Sequence, residues 1–338
     1  MGHPGLGAAR ATHGLALVLA LVAMGAAPAV AQVTDLVSVG AQYVPPVDAP
    51  EAPPATAQLT SVDLRLNAPI RLGERSILIP GIAYHLDSIA FDDTPEGFVE
   101  LGPFHAVSAS LYYVRLLPKD WSLALNAGVG LAGDFDQVDG GLVRVNALVL
   151  AAKALSERVT LGFGALFNYA FGRPLPLPAF RVDWHPTPEF QLELFLPGFL
   201  RVTQRFAGRV ELGGLLEISG NEYAIRDPRI QDAWPCRAQP ADNPLTPRDE
   251  TVAERADCVD NVAYSFAAVG LTLGVRLFAS VWLTLYGGRT VFRRFDPRNA
   301  DGGDVADIGD DLPNAFFLRG TLTFRAPSPG EGMEPALP

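Results

Sequence analysis

Hydrophobic and polar residues alternate with a period of two along much of the chain, which is the pattern of a β-strand whose two faces meet different environments. In residues 60–72, apolar side chains at every second position alternate with Asp63, Arg65, Asn67 and Arg71. A helical period would scatter these charges around the cylinder. Three further segments repeat the alternation, and they are 121–135, 159–172 and 314–325. The pattern predicts strands that cross a membrane, each of about 9–11 residues.

The connections between the segments are alternately short and long. Outer-membrane barrels place short turns on the periplasmic side and longer loops outside. The sequence therefore predicts an all-β protein, a transmembrane antiparallel up-and-down β-barrel of about 14 strands with both termini in the periplasm. Twelve strands are the alternative, if 33–44 is only a tail. The predicted strands are 33–44, 59–72, 76–91, 104–118, 121–135, 142–156, 159–172, 178–185, 189–196, 199–206, 209–226, 261–278, 281–296 and 314–325.

Two of these segments do not keep a single phase. In 261–278 and in 281–296 the alternation shifts near the middle of the segment. A β-bulge inserts one residue and restores the phase, so we predict a bulge in each.

The composition agrees with a membrane protein that has no membrane helix. The chain has 338 residues, 49% of them apolar, and a mean hydropathy of +0.18. A membrane helix needs about 18 or more consecutive apolar residues, and beyond the first thirty-odd residues no such run occurs. The net charge of −11 argues against nucleic acid as a partner.

The first residues have the pattern of a secretory signal peptide. Arg10 supplies the positive region, Leu15–Met24 the short apolar core, and Ala29–Ala31 an A-x-A site with cleavage expected before Gln32. We therefore expect export to the outer membrane of a Gram-negative bacterium. The predicted organisation is a cleaved signal peptide at 1–31, an outer-membrane barrel at 32–325 and a disordered periplasmic tail at 326–338.

The alternation also predicts which charged side chains face the lumen. Two interpretations stay open: internal ion pairs fill the barrel, or the charges line a constriction that selects small polar solutes. The first predicted function is a passive or weakly selective channel for small solutes, and the alternative is a closed structural or adhesive barrel. The predicted lumen-lining charged residues are Asp63, Arg65, Arg144, Arg181, Asp183, Glu193, Arg201, Arg205, Glu211, Glu217 and Arg319.

Catalysis finds little support in the sequence. His85 and Asp87 share a strand face near the predicted external end, as an acid–base pair of a hydrolase would. The same spacing recurs at Asp183 and His185, and no GxSxG motif is present. We expect no enzyme, with an outer-membrane hydrolase as the least favoured hypothesis and no catalytic residue assigned.

Two loops carry further candidate chemistry. Cys236 and Cys258 lie in the loop 227–260, and an exported protein meets an oxidising compartment, so we predict a disulfide worth about 3 kcal/mol in the loop-entropy model. The loop 296–311 is acidic and resembles a fragment of a calcium loop, without the closing Glu. The candidate ligands are Asp296, Asn299, Asp301 and Asp304, and no other cofactor is expected.

Aromatic residues are expected at the two membrane interfaces. Those near predicted short turns are Trp121, Trp184 and Trp282, and those near the external rim are Phe91, Phe135 and Phe295.

The whole exported chain resembles the bacterial outer-membrane β-barrel families of unknown function. The resemblance rests on Pro174–Pro178 leading into Val182–Pro186, and on Tyr286–Phe295. It implies an architecture and a location, not a reaction. It also implies outer-membrane lipid, lipopolysaccharide and the barrel-assembly machinery as partners. The chain departs from the common pattern because a Pro/Gly-rich tail follows Phe324–Arg325 in place of a terminal aromatic residue.

Overall fold

The computed structural model describes residues 35–48, 56–92, 101–169, 174–229, 259–278, 280–300 and 312–325. The described residues form fourteen antiparallel strands, and Ile70–Arg71 continues the second strand against the third past a short break. The strands are β1 (Asp35–Asp48), β2 (Thr56–Asn67), β3 (Ser76–Asp92), β4 (Leu101–Leu116), β5 (Trp121–Gly133), β6 (Val143–Ser156), β7 (Val159–Asn168), β8 (Leu175–Trp184), β9 (Phe190–Leu196), β10 (Phe199–Phe206), β11 (Val210–Ala224), β12 (Asn261–Phe278), β13 (Val281–Arg298) and β14 (Phe316–Arg325).

Each strand pairs with the next, and the sheet closes on itself because β1 also pairs with β14. Val39 of β1 lies opposite Leu322 of β14 on one side and opposite Leu64 of β2 on the other. The first predicted strand is therefore part of the wall. The fourteen-strand barrel is confirmed, and the twelve-strand alternative is wrong.

The outward face of the barrel is an apolar belt. Leu66, Val129, Phe163 and Leu318 are all exposed, and each stands at a position where the sequence pattern predicted contact with lipid. A belt of this kind is what lipid covers on a transmembrane barrel. Within the described part of the chain, no helix is long and apolar enough to cross a membrane.

The two ends of the barrel differ in their connections. The short-turn end carries the connections around 73–75, 117–120, 157–158, 185–189 and 207–209, and the long-loop end lies opposite. At the short-turn end, Trp121 meets Phe163 and Trp184 meets Phe190, with ring centroids 6.5 Å and 6.0 Å apart.

Two aromatic residues do not lie where the interface prediction put them. Trp282 is buried inside the lumen beneath the Arg325 guanidinium, 4.5 Å from the ring centroid. Phe295 is buried in the hydrophobic core at the long-loop end. Both predictions are wrong because these side chains point inward. A position near a strand end does not by itself show which face of the sheet a side chain occupies.

Alternation fails in the outer parts of β12 and β13 because both faces of the sheet are buried there. Residues 262–266 and residues 295–298 are buried without interruption. A strand that is buried on both faces has no reason to alternate. Burial on both faces therefore explains most of the phase change that the sequence shows in 261–278.

One of the two predicted bulges is present. In β13 the extra residue is Val291, since Ala267 lies opposite Phe292 and Ala268 opposite Thr290. In contrast, β12 pairs with β11 in an unbroken register, and its own extra residue against β13 is Leu277, at the far end of the strand. The bulge predicted for the middle of 261–278 is therefore wrong.

The doubly buried strand ends lie across the long-loop end. We name residues 221–226, 259–268 and 293–298 the lid. Ala224 forms a parallel bridge with Gly133 at the end of β5, although β5 and β11 are not neighbours in the sheet order. The Asp134 amide donates to the Ala224 carbonyl oxygen over 3.2 Å. The lid therefore reaches from one wall of the barrel to the opposite wall.

A row of glycines lies between the lid and the wall. Gly270 of β12 is paired with Gly288 of β13. A Cβ atom at Gly270 would lie 2.3 Å from the Gly287 carbonyl oxygen, and one at Gly288 would lie 2.2 Å from the Val269 carbonyl oxygen. Only glycine permits two strands to approach so closely. We name Gly270, Gly287 and Gly288 the glycine crease.

Candidate functional site

The candidate site is the lumen together with the lid that covers it. The structure places ten of the eleven predicted lumen residues in ion pairs, and Arg65 makes none among the described residues. The pairs are Asp63–His85, Arg144–Glu222, Arg181–Asp183, Glu193–Arg201, Arg205–Glu211 and Glu217–Arg319.

The lumen at the short-turn end is organised around Glu211. Its carboxylate lies 2.9 Å from the Arg205 Nη2 atom and 3.2 Å from the Arg325 Nη1 atom. Arg325 was not among the predicted residues, although it continues the inward positions of β14 two residues beyond Thr323. The result is a cross-lumen contact between β14 and β11, which lie three strands apart in the sheet.

A second cross-lumen contact lies nearer the middle of the barrel. The Arg319 Nη2 atom is 2.8 Å from Glu217 Oε1, and Arg319 Nε donates to Gln42 Oε1 over 2.8 Å. Its guanidinium also stands 5.6 Å from the centroid of the Tyr286 ring. Charged hydrogen bonds of this kind fix the long arginine side chain in one geometry.

His85 bridges two carboxylates. Its Nδ1 atom lies 2.7 Å from Asp63 Oδ1 and its Nε2 atom 3.0 Å from Asp87 Oδ1. Each ring nitrogen therefore lies against a carboxylate oxygen, and the Ser61 hydroxyl donates to Asp87 instead of His85. Ser61 is thus not placed against a ring nitrogen, as the nucleophile of a Ser–His pair would be.

The same aspartate connects the barrel wall to the lid. The Tyr223 hydroxyl donates to Asp87 Oδ2 over 2.7 Å. The Tyr223 ring stacks on Phe104 of β4 with centroids 5.1 Å apart, and both rings are fully buried. Val44, Leu59 and other apolar residues of the wall belong to the same core. The inner face of the lid is therefore packed like the interior of a soluble protein.

The lid also carries a buried charge. Arg293 is 1% exposed, and its Nη1 atom donates to the Pro313 carbonyl oxygen over 3.2 Å. Arg293 and the Tyr264 hydroxyl interact with each other, but neither the Arg293 Nε atom nor that hydroxyl makes a well-aligned hydrogen bond with a described residue.

The opposite face of the lid is joined to the β6 wall by ion pairs. The Arg144 Nη2 atom lies 3.3 Å from Glu222 Oε1, and the Arg298 Nη1 atom lies 3.5 Å from Glu222 Oε2. Asp296 pairs with Arg298 and with Arg294, each at 2.8 Å. These groups are mostly buried, so removing one partner would leave an uncompensated charge.

Arg226 fastens the lid to the loop that follows β5. Its Nε atom lies 2.7 Å from Asp139 Oδ2, and its Nη1 atom lies 2.8 Å from Asp260 Oδ1. The Arg226 and Asp227 amides both donate to Asp134 Oδ2. Hydrogen bonds from the Arg226 side chain lower the pKa of the Asp139 carboxyl below its ordinary value.

The predictions for the two loops fall mainly outside the described residues. Cys236 and Cys258 both lie there, as do Asp301 and Asp304 of the calcium candidate. Asp296 and Asn299 are described, and the Asp296 carboxylate is engaged by arginines. In the described ranges, no group of three or more His, Cys, Asp or Glu residues could hold a metal ion. The calcium site and the disulfide stay predictions.

Sequence reasoning missed the residues that hold the lid. Tyr223 and Arg226 lie in the predicted strand 209–226 and Arg293 in the predicted strand 281–296, where the alternation assigns them to a membrane wall. The available signal was the phase change in 261–278 and 281–296, because it marks the strand ends that turn away from lipid.

Comparison with known proteins gives a family and several barrels of similar fold, and it leaves the activity open. A family model described as "Domain of unknown function (DUF6268)" matches residues 96–235. The predicted resemblance to outer-membrane barrels of unknown function is confirmed. Comparison with the curated proteins gives no match.

Three solved structures illustrate the likeness. The COG4313 outer membrane channel from Pseudomonas putida F1 has 13% identity and a TM-score of 0.43, covering 89% of this chain and 100% of that one. LpxR from Salmonella typhimurium has 11% identity and a TM-score of 0.34, covering 85% and 99%. Outer membrane phospholipase A from Escherichia coli has 9% identity and a TM-score of 0.33, covering 90% and 96%. At this level the likeness concerns the fold alone.

The closed fourteen-strand sheet supplies every strand with two neighbours, as a bilayer requires. Its outward face is apolar and its inward face is charged. The chain is therefore a closed β-barrel with the apolar outer face of a membrane-spanning protein.

Proposed function

We propose that the protein is an outer-membrane channel for small polar solutes, and that the described conformation is its closed state. One observation carries the proposal. A lumen lined with partly exposed ion pairs extends from the short-turn end and stops at the lid. We propose no catalytic step, and outer-membrane lipid, lipopolysaccharide and the assembly machinery remain the expected partners.

The chemistry of the lumen supports a channel over a permanent plug. Ion pairs inside a protein give up much of their Coulomb energy to desolvation, and apolar side chains of similar size often stabilise as well or better. A barrel that stayed closed would gain little from Arg205, Glu211, Glu217 and Arg319. A lumen that fills with water does need such groups, because charged linings select the solutes that pass.

The glycine crease supports a lid that moves. Gly270 and Gly288 lie where the strand pair leaves the wall, and each lacks the Cβ atom that would prevent close approach there. We propose that opening separates Tyr223 from Phe104 and Asp87. The crease is where the backbone changes direction in this motion.

A closed structural or adhesive barrel is the second candidate. The observation that favours it is the packing of the lid, with the Phe104–Tyr223 stack on one face and the Arg144–Glu222 pair on the other. Both faces would have to be exposed before solute could pass.

Planar-bilayer recording tests the channel. The full chain is compared with a double variant, Phe104→Ala with Tyr223→Ala, which removes the stack and the hydrogen bond to Asp87. We expect rare openings in the unmodified protein and an open fraction about tenfold or more higher in the variant, since tenfold corresponds to ~1.4 kcal/mol. The matched control is Phe163→Ala with Leu318→Ala on the outward face, which leaves the lid intact.

The contrary result is equally definite. Absence of current from both proteins, while each keeps the heat-modifiable gel mobility of a folded barrel, would contradict the channel and favour the closed structural barrel.

A further inference from the structure

The lumen charges are not equally accessible to water. In five ion pairs of the short-turn half the arginine is more exposed than its acid, and these pairs are Arg181–Asp183, Arg201–Glu193, Arg205–Glu211, Arg319–Glu217 and Arg325–Glu211. The difference is largest for Arg201, which is 48% exposed against 21% for Glu193, and for Arg205, which is 39% exposed against 13% for Glu211. The exception is Asp35.

The difference has a simple geometric cause. A carboxylate on the wall has a short side chain, whereas the long arginine side chain reaches past it toward the barrel axis. The lumen charges nearly balance, but a solute meets the guanidinium groups first. Because Coulomb interaction falls with distance and is less screened away from bulk water, the nearer charge dominates.

Arg65 adds a cation that makes no direct ion pair with a described residue, although the Asp63 and Asp35 carboxylates lie near enough to interact with it electrostatically. It stands on β2 opposite Ser38 of β1, two residues from Asp63 on the same inward face. It is exposed, and it makes no ion pair among the described residues. Unlike Arg201, it has no described carboxylate in direct contact that an anion would have to displace.

Arg201 has a second feature that suits an organic anion. Its guanidinium lies 5.4 Å from the centroid of the Phe199 ring. The Phe199 ring is 6.0 Å from that of Phe195 on the adjacent strand. A planar guanidinium beside apolar rings can hold a carboxylate bidentately while the rings contact its hydrocarbon part.

We propose that the lumen on the short-turn side is an anion-binding vestibule, with Arg65 and Arg201 as its specificity-determining residues and small monocarboxylates as its solute class. The proposal deepens the channel function, because it names what the channel would pass. Binding in the vestibule does not require the lid to open.

A fluorescent reporter in the vestibule tests this directly. Phe199→Trp places an indole beside Arg201, where the vestibule meets the core of the lid. Its emission is obtained by subtracting that of the protein without the substitution. At constant ionic strength, we expect iodide to quench this indole about threefold or more efficiently than caesium, since charged clefts concentrate ions of opposite sign. Acetate should protect the indole from iodide with a saturable concentration dependence.

Two variants in the reporter background locate the effect. Arg201→Gln and Arg65→Gln should each lower the iodide-to-caesium ratio, and the double variant should bring it near one. The control is Arg115→Gln, because Arg115 is exposed and lies on the opposite face of β4 from Phe104, so the ratio should not change.

The outcomes separate this proposal from the channel itself. Equal quenching by iodide and caesium, or a ratio that Arg115→Gln lowers as much as Arg201→Gln, overturns the vestibule even if bilayer currents are found. A preference for iodide that depends on Arg65 and Arg201, with no current in any variant, supports the vestibule and contradicts the channel.

Discussion

The two halves of this barrel place the same set of strands in different environments. Toward the short-turn end each strand has lipid on one face and a partly wetted lumen on the other, as with Leu212 outside and Glu211 inside. Toward the long-loop end, β12 and β13 have protein on both faces. Each of these two strands is therefore membrane wall at its short-turn end and protein core at its long-loop end.

The comparison shows what the alternation of a barrel strand reports. It records the difference between the two environments, and it disappears where that difference disappears. In the wall half, side chains such as Phe163 and Leu318 are recognisable because their polar neighbours face inward. In the lid, Tyr223 and Phe295 are equally apolar, but nothing in their local pattern distinguishes them from lipid-facing residues.

The largest expected effect comes from breaking the lid core. Phe104→Ala removes a fully buried ring that stacks on Tyr223. We expect the free energy of unfolding in lipid vesicles to fall by ~3–5 kcal/mol, the range for large-to-small substitutions in cores. Urea titration followed by tryptophan fluorescence measures it.

The matched substitution in the wall half is Phe163→Ala, because Phe163 is 62% exposed on the outward face. It should lower the free energy of unfolding by less than half as much, since lipid refills the space that the ring leaves. Equal losses from the two variants would contradict a lid that is packed as a core.

Most of the wall was predictable from the sequence, and most of the lid was not. The strand limits of β5 and β14 match the alternation closely, since each face has its own residue class. The inward position of Arg319 follows from the same rule. The partners of Arg319 do not. Gln42 lies opposite Arg319 on β1, a strand that is distant in sequence and meets β14 only where the barrel closes, and Glu217 lies across the lumen.

The glycine crease lies at the boundary between the two halves, and two of its members can be compared directly. Gly288→Ala would place a Cβ atom 2.2 Å from the Val269 carbonyl oxygen, whereas the nearest atom for Gly287→Ala is Leu318 Cδ1 at 3.8 Å. We expect the first variant to lose ~1–3 kcal/mol of unfolding free energy, as overpacking does, and the second to lose little.

These adjacent glycines control for each other, because both substitutions add one methyl group and both give up the same backbone freedom. Chemical unfolding in vesicles measures the difference. If Gly287→Ala lowers the free energy of unfolding as much as Gly288→Ala does, then backbone freedom, and not the close approach of the two strands, is the reason for glycine at these positions.

The smallest expected effect concerns the clasp between Arg226 and Asp139 on the rim of the lid. Exposed ion pairs contribute at most about 1 kcal/mol. The pKa of the Asp139 carboxyl is lowered by Arg226, so this contribution is fully present above the ordinary carboxyl pKa of about 3.9 and is lost as the pH falls through the lowered value. The Ile225 amide, which donates to the Asp260 carbonyl oxygen over 2.8 Å, reports on the clasp through hydrogen exchange.

At neutral pH we expect the Ile225 amide to exchange up to about fivefold more slowly in the unmodified protein than in Asp139→Asn, which corresponds to about 1 kcal/mol. The ratio of the two rates should approach one in acid, because the protonated Asp139 then behaves like the amide that replaces it. Asp136→Asn, in the same exposed loop, removes an equal charge without touching Arg226 and should leave the rate unchanged. A ratio that stays constant with pH would assign the slow exchange to the apolar packing of the lid, and the clasp would then be a consequence of closure instead of a cause.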